Sequence, residues 1–153
     1  DFAVGASVFL LVAAFIFVFV PGMFTPFSGT DPSALAANRV ADQLSNDLLG
    51  DPSQAGVLNE TCTVEFFDDD GAVGDCRFDH DGRDLREAFN ISAGTSLNVT
   101  VESANGVATG SAPGLGTTTL AAGDAPSDAE SVTNAERVVL LNGTTYRLHV
   151  RVW

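Results

Sequence analysis

Hydrophobic positions along this chain follow three different rhythms. From Phe2 to Phe24 they are nearly continuous, 23 residues without a charge. As a helix this stretch would be about 35 Å long, enough to cross a hydrocarbon core of about 30 Å. Its aromatic residues are Phe2, Phe9, Phe15, Phe17, Phe19 and Phe24. With Leu10 and the interspersed Val, Leu and Ile, they would lie on every side of the helix. A helix apolar all round is buried all round, in a membrane or in the core of a helical bundle. Pro21-Gly22 interrupts the run. Pro21 removes one i→i−4 bond and disfavours the α conformation at Val20, so a kink is predicted there.

The second rhythm has helical spacing. Asp31-Pro32 reads as an N-cap followed by Pro at the first helical position. Ala37, Val40, Ala41, Leu44 and Leu48 then recur on one face, and Gly50 is a plausible stop. This predicts an amphipathic helix over residues 31–50 that packs its apolar face on the head. Pro26 and Ser28-Gly29 predict a hinge before it; one bent helix over residues 2–49 fits the same pattern.

Beyond Gly50 the period shortens to two. Val57–Phe67 and Cys76–Phe78 read as a pair of strands, and Asp84–Phe89 as one short helical turn. Leu97, Val99 and Val101 alternate within a strand over Ser96–Glu102. Residues 106–126 are rich in Gly, Ala, Thr and Ser and predict a loop with one short strand. The clearest element comes last: Arg137–Leu141, the turn dipeptide Asn142-Gly143, then Thr144–Trp153, a β-hairpin with a type I′ signal. Tyr146, Leu148, Val150 and Val152 would face one way, and Arg147, His149 and Arg151 the other. The expected fold class is α+β: a long apolar N-terminal helix, then an antiparallel β-rich, sandwich-like head. The segments would be 1–30, a transmembrane or filament-core helix; 31–50, the amphipathic helix; and 51–153, an extracellular head.

Charge sharpens this division. The 153 residues hold 20 Asp and Glu against seven basic residues, all of them Arg, for a net charge of −13. Every charge except that of Asp1 lies at Asp31 or beyond. Self-repulsion at this density destabilises a compact state in dilute buffer. In molar salt the Debye length falls to about 3 Å and the repulsion is screened. Abundant carboxylates with no Lys point to an extreme halophile. A polyanion also repels nucleic acid, which removes that class of partner.

The two cysteines, Cys62 and Cys76, lie 14 residues apart. With an apolar N-terminal segment, they favour a disulfide on the outer side of the membrane. Closing that loop would stabilise by about 3 kcal/mol in the chain-entropy account; a pair of buried thiols is the alternative. Four of the eight asparagines stand in Asn-x-Ser/Thr sequons, namely Asn59, Asn90, Asn98 and Asn142. At least two are expected to carry glycan on a secreted head.

Catalytic patterns are missing. Without Lys there is no P-loop, Schiff-base lysine or pyridoxal site, and no Gly-x-Ser-x-Gly elbow occurs. His80 and His149 are far apart and lack ligand-spaced cysteines. Asp79, Asp81 and Asp84, with Glu87 nearby, partly match a calcium loop but lack its third acid and later bidentate Glu. They read better as acidic surface. No enzyme, metal or cofactor is expected.

Asp1-Phe2 at the head of a long aliphatic and aromatic helix resembles the start of mature type IV pilins and related archaeal surface filaments, here of a haloarchaeal kind. The resemblance covers the first 25 to 50 residues and the plan of helix then β-rich head. It departs from the Ser-Pro-containing start common in haloarchaeal pilins and from the glycine-led start of archaellum subunits. The resemblance implies a structural subunit that serves adhesion or surface attachment. Its helices would form the filament core and its acidic, glycosylated heads the outside. It further implies membrane embedding before assembly, a prepilin peptidase that removes a basic leader, and an assembly ATPase with its membrane platform. If Asp1 matches the acidic residue near the start of mature pilins, further residues precede it. The alternatives are a single-pass membrane-anchored surface protein or a minor pilin, with a head that binds cations or sugars.

The charge pattern makes a direct prediction. Raising salt from about 0.1 M to about 1 M should raise the melting temperature of residues 31–153. Calorimetry that finds it unchanged or lowered would refute the screening argument.

Overall fold

The computed structural model describes residues 2–24, 31–68 and 75–153, with side chains of the first helix described as far as Ile16. Two compact units divide the chain, residues 1–31 and 32–153. In the first, helix α1 spans Phe2–Phe24. The hinge expected at Pro26 and Ser28-Gly29 lies outside the described residues. So do the side chains of Phe17, Phe19, Pro21 and Phe24, and with Pro21 the kink predicted there.

The second unit begins with α2, Pro32–Gln43, which buries Ala37, Val40 and Ala41. A π-helical turn over Leu44–Leu48 extends it, closed by the bond from Leu49 N to Leu44 O at 3.1 Å. Then come β1 (Gly50–Asp51), β2 (Gln54–Leu58), α3 (Glu60–Phe67), a 3₁₀ turn at Gly82–Asp84, and α4 (Leu85–Ala88). The chain continues through β3 (Leu97–Ser103), β4 (Gly106–Val107), β5 (Thr109–Ser111), β6 (Thr117–Thr119) and β7 (Ala121–Ala122). It ends in the hairpin β8 (Thr133–Leu141) and β9 (Thr144–Val152). One sheet runs in the order β1-β2-β8-β9-β3-β4, with β7 also beside β3; β5 and β6 form a separate ribbon.

The hairpin organises the sheet. Asn142 and Gly143 both take positive φ, 55° and 76°, as a type I′ turn requires. That turn sets the register Leu141↔Thr144 through Thr133↔Val152, and β3 then pairs with β9 from Leu97↔Val152 to Glu102↔Arg147. Leu97, Val99, Val101, Leu148, Val150, Val152, Val139 and Leu141 consequently share one buried face. α2 packs against β8 and β9, placing Val40 and Leu44 in the same core. Phe66 anchors the α3 side of that core, edge-to-face on Phe67 and Phe78 and tilted against Phe89.

Several expectations need correction. Among the described residues no helix is long and apolar enough to cross a membrane; the described side chains of α1 run only from Phe2 to Ile16, so the expected membrane-length apolar helix is not found among them. Nor is the head a sandwich. The β5–β6 ribbon is too small to be a second sheet; α2 packs on the main one at β8 and β9, and α3 lies against the ribbon with Phe66 and Phe67 joining the same core. The sheet is mixed, since β2 runs parallel to β8 through Val57↔Leu140 and Leu58↔Leu141. The expected strand over Val57–Phe67 stops at Leu58, and Glu60–Phe67 is helix. Thr, Val and Phe favour strands by composition, but packing outweighs that preference. Here Asn59 Oδ1 caps the helix by accepting from Cys62 N at 3.0 Å, and Thr63, Val64, Phe66 and Phe67 are buried. Residues 106–126 contain four short strands where one was expected.

Gly123 provides a test of the close packing around β3. Its φ is +78°, and a Cβ there would overlap the Leu97 carbonyl oxygen and press on Leu85. Gly123→Ala should destabilise the unit by about 3 kcal/mol or more, whereas Val138→Ala on the open sheet face should stay within about 0.5 kcal/mol. Chemical denaturation in molar salt measures both, and equal effects would contradict this packing.

Candidate assembly surface and modification sites

α1 is built almost wholly of apolar residues. Its one polar side chain between Phe2 and Ile16 is Ser7, whose hydroxyl donates to Ala3 O at 2.8 Å and is satisfied within the helix. Val8, Phe9, Leu10, Leu11 and Val12 are all exposed, from 53% at Val12 to 73% at Leu11. At 100° per residue, five successive positions pass once around the helix. The apolar surface is therefore continuous about the axis. Phe2, at 91% exposure, and Phe15 extend it along the length. Of the expected core residues, Phe2, Phe9, Leu10 and Phe15 all belong to this surface; Phe17, Phe19 and Phe24 lie outside the described side chains.

The four sequons occupy unlike environments. Asn59 is exposed and caps α3. Asn90 is exposed in a left-handed turn after α4, with φ of 50°. Asn142 is exposed at the hairpin turn, and its Nδ2 donates to Glu60 Oε1 at 2.6 Å. Asn98 is buried on β3, only 5% exposed. Its Nδ2 donates to Ala122 O and Gly123 O at 3.2 and 3.1 Å, and its Oδ1 accepts from Arg151. A glycan on Asn98 would need the space the fold occupies, so the expectation of a modified Asn98 is withdrawn.

Cys62 on α3 and Cys76 form a disulfide, with Cα atoms 5.5 Å apart. The bridge ties a helix to the segment after it, where a strand pair was expected. Glu65 lies beside it, 2% exposed, with Oε2 3.3 Å from Cys76 Sγ. Elsewhere, His80, Asp84 and Glu87 each bring a donor atom within 4.8 Å of the others, and all three are exposed. Water competes at every position of such a cluster. Neighbouring Asp81 is taken up by Arg83 at 2.6 Å. Exposed acidic groups commonly gather in this way without an ion, and the cluster differs from the Asp79, Asp81 and Asp84 set that the spacing suggests.

A family model described as a family of unknown function, DUF7287, matches residues 1–153. The chain belongs to the DUF7287 family. No curated protein and no solved structure matches it.

The open face of the sheet in this DUF7287 member carries a network that sequence reasoning missed. Arg151 donates to Glu102 at 2.7 Å, to Thr100 at 2.9 Å and to Asn98 at 3.1 Å. His149 Nε2 stands 3.7 Å from Glu102 and 3.9 Å from Glu136, while Asn134 approaches its Nδ1. The alternation of Arg147, His149 and Arg151 marked the face. Their partners on β3 and β8 follow only from the register.

The Arg151 hydrogen bond, with help from Thr100, holds the Glu102 carboxyl below its ordinary value near 4.5, against the opposing effect of burial. A depressed carboxylate stabilises the fold above its unfolded pKa, and that contribution disappears as pH falls through the folded value. Glu102→Gln should therefore lower stability at neutral pH and flatten the decline below about pH 4.5. Denaturant midpoints measured from neutral to acid test this; parallel pH profiles for the two proteins would contradict it.

Proposed function

We propose that this DUF7287 chain is a structural subunit of an extracellular type IV pilus-like filament that serves adhesion or surface attachment. One observation carries the reading: an apolar surface that continues around the whole circumference of α1, exposed along the described helix. Such a surface must be removed from water, since burying each large side chain is worth about 1.5–3 kcal/mol. Copies of the same helix, packed side by side in a filament, meet this demand. The start of the chain, Asp1-Phe2 leading an aliphatic and aromatic helix, adds the resemblance to pilins. The acidic unit of residues 32–153 stays in contact with saline solvent, and the role is structural, not catalytic. Prepilin peptidase and the assembly machinery would be its partners during export.

Deleting residues 2–24 should abolish filaments and leave a monomer that stays in solution in molar salt. Electron microscopy of filaments sheared from cells should find this chain repeated along the fibre, with α1 in its centre. Filaments formed by the deletion variant would refute the core assignment. Filaments built from another chain, with this one held in the membrane fraction, would make it an anchored surface protein or a minor subunit.

A further inference from the structure

Among the four sequons, chemistry and geometry set Asn90 and Asn98 furthest apart. N-glycosylation joins Asn Nδ2 to the anomeric carbon of an oligosaccharide carried on a polyprenyl phosphate or diphosphate. The N–C bond forms as the C–O bond to phosphate breaks. The amide loses one proton to a base of the transferase, and the lipid phosphate departs. In the folded protein the reacting asparagine therefore needs an Nδ2 free of internal bonds, a reachable hydroxyl two residues on, and open space for the sugar.

Asn98 fails each requirement except the sequence itself. Both of its Nδ2 hydrogens are used, Thr100 is 5% exposed, and the Thr100 hydroxyl donates to Glu102 at 2.8 Å. A sugar at Asn98 and this fold exclude one another. Asn142 is exposed, but its Nδ2 is bound to Glu60, and Glu60 follows directly on Asn59. These two sequons therefore lie close together, and Asn59 caps α3 through its Oδ1, not through the Nδ2 that would react.

Asn90 meets every requirement. It ends α4 in the left-handed conformation that Asn tolerates well, with Ile91 N bonded back to Arg86 O at 2.9 Å. The backbone is thus fixed while the side chain is exposed, with no hydrogen bond among the described residues. Ser92 is exposed as well. Both open onto a hollow of about 240 Å³ walled by Pro32, Ala36 and Arg39 of α2. We propose that Asn90 is an N-glycosylation site of this protein and that Asn98 stays bare. The inference rests on the filament reading only in requiring residues 32–153 on the outer side of the membrane.

The test is glycopeptide mass spectrometry on the full chain purified from the cells that make it. Cleavage after Phe89 and Leu97 parts the two sequons. The expected result is an oligosaccharide mass on the Asn90 peptide and none on the Asn98 peptide. Asn90→Gln should remove that mass, and Ser92→Ala should do the same without altering Asn90 itself. Asn98→Gln should leave the glycan in place. A bare Asn90 in the exported protein, or sugar on Asn98, would overturn the proposal. Filaments whose subunits carry a bare Asn90 would overturn this proposal alone, whereas a glycosylated Asn90 on a protein that never polymerises would overturn the filament reading alone.

Discussion

The register of the β8–β9–β3 ladder is the constraint on which the rest of residues 32–153 depends. In a strand the side chains alternate, so a slip of one residue would exchange the two faces of the sheet. The Asn142-Gly143 turn prevents that slip on one side, through backbone angles that few other dipeptides adopt. With the register fixed, Leu148, Val150 and Val152 meet Val99 and Val139 in a common core, and α2 can bury Val40 and Leu44 on it. The same register brings Glu102 to Arg151 and His149 on the opposite face. Apolar burial and ionic pairing are two outcomes of one choice of alignment.

The two units of the chain ask opposite things of their surroundings. The described part of α1 is apolar around its circumference and its only hydroxyl is satisfied internally, so water gains nothing by contacting it. The second unit holds every charge but those of Asp1 and Asp31, with carboxylates in large excess over arginines. Seven arginines cannot neutralise them, and several are committed to ion pairs, as in Arg83–Asp81 and Arg137–Asp42. Salt screens the remainder. The filament proposed above would bury the first unit and leave the second in saline solvent.

Sequons illustrate how a fold filters a motif. Asn59, Asn90, Asn98 and Asn142 are equal as text, yet one caps a helix, one ends a helix in an open turn, one is locked into a sheet and one makes a hairpin turn. The hydrogen bonds that make Asn98 useful to the fold are the ones that withhold its nitrogen from chemistry.

Local patterns were enough for the elements whose signals are local. Asn142-Gly143 gave the hairpin, the alternation of Leu97, Val99 and Val101 gave β3, and the helical spacing of Ala37, Val40, Ala41 and Leu44 gave α2 and its buried face. Composition alone determined the polyanionic character and the division into an apolar start and a charged remainder. Tertiary contacts decided what local signals left ambiguous. Residues 60–67 have strand-like composition, but the Asn59 cap and the cluster around Phe66 make them helix. The parallel pairing of β2 with β8, the single sheet in place of a sandwich, and the partners of Arg151 join residues far apart in the chain. No periodicity encodes such meetings. They arise because a sheet face left apolar must be covered, and which element covers it depends on the packing of the whole unit.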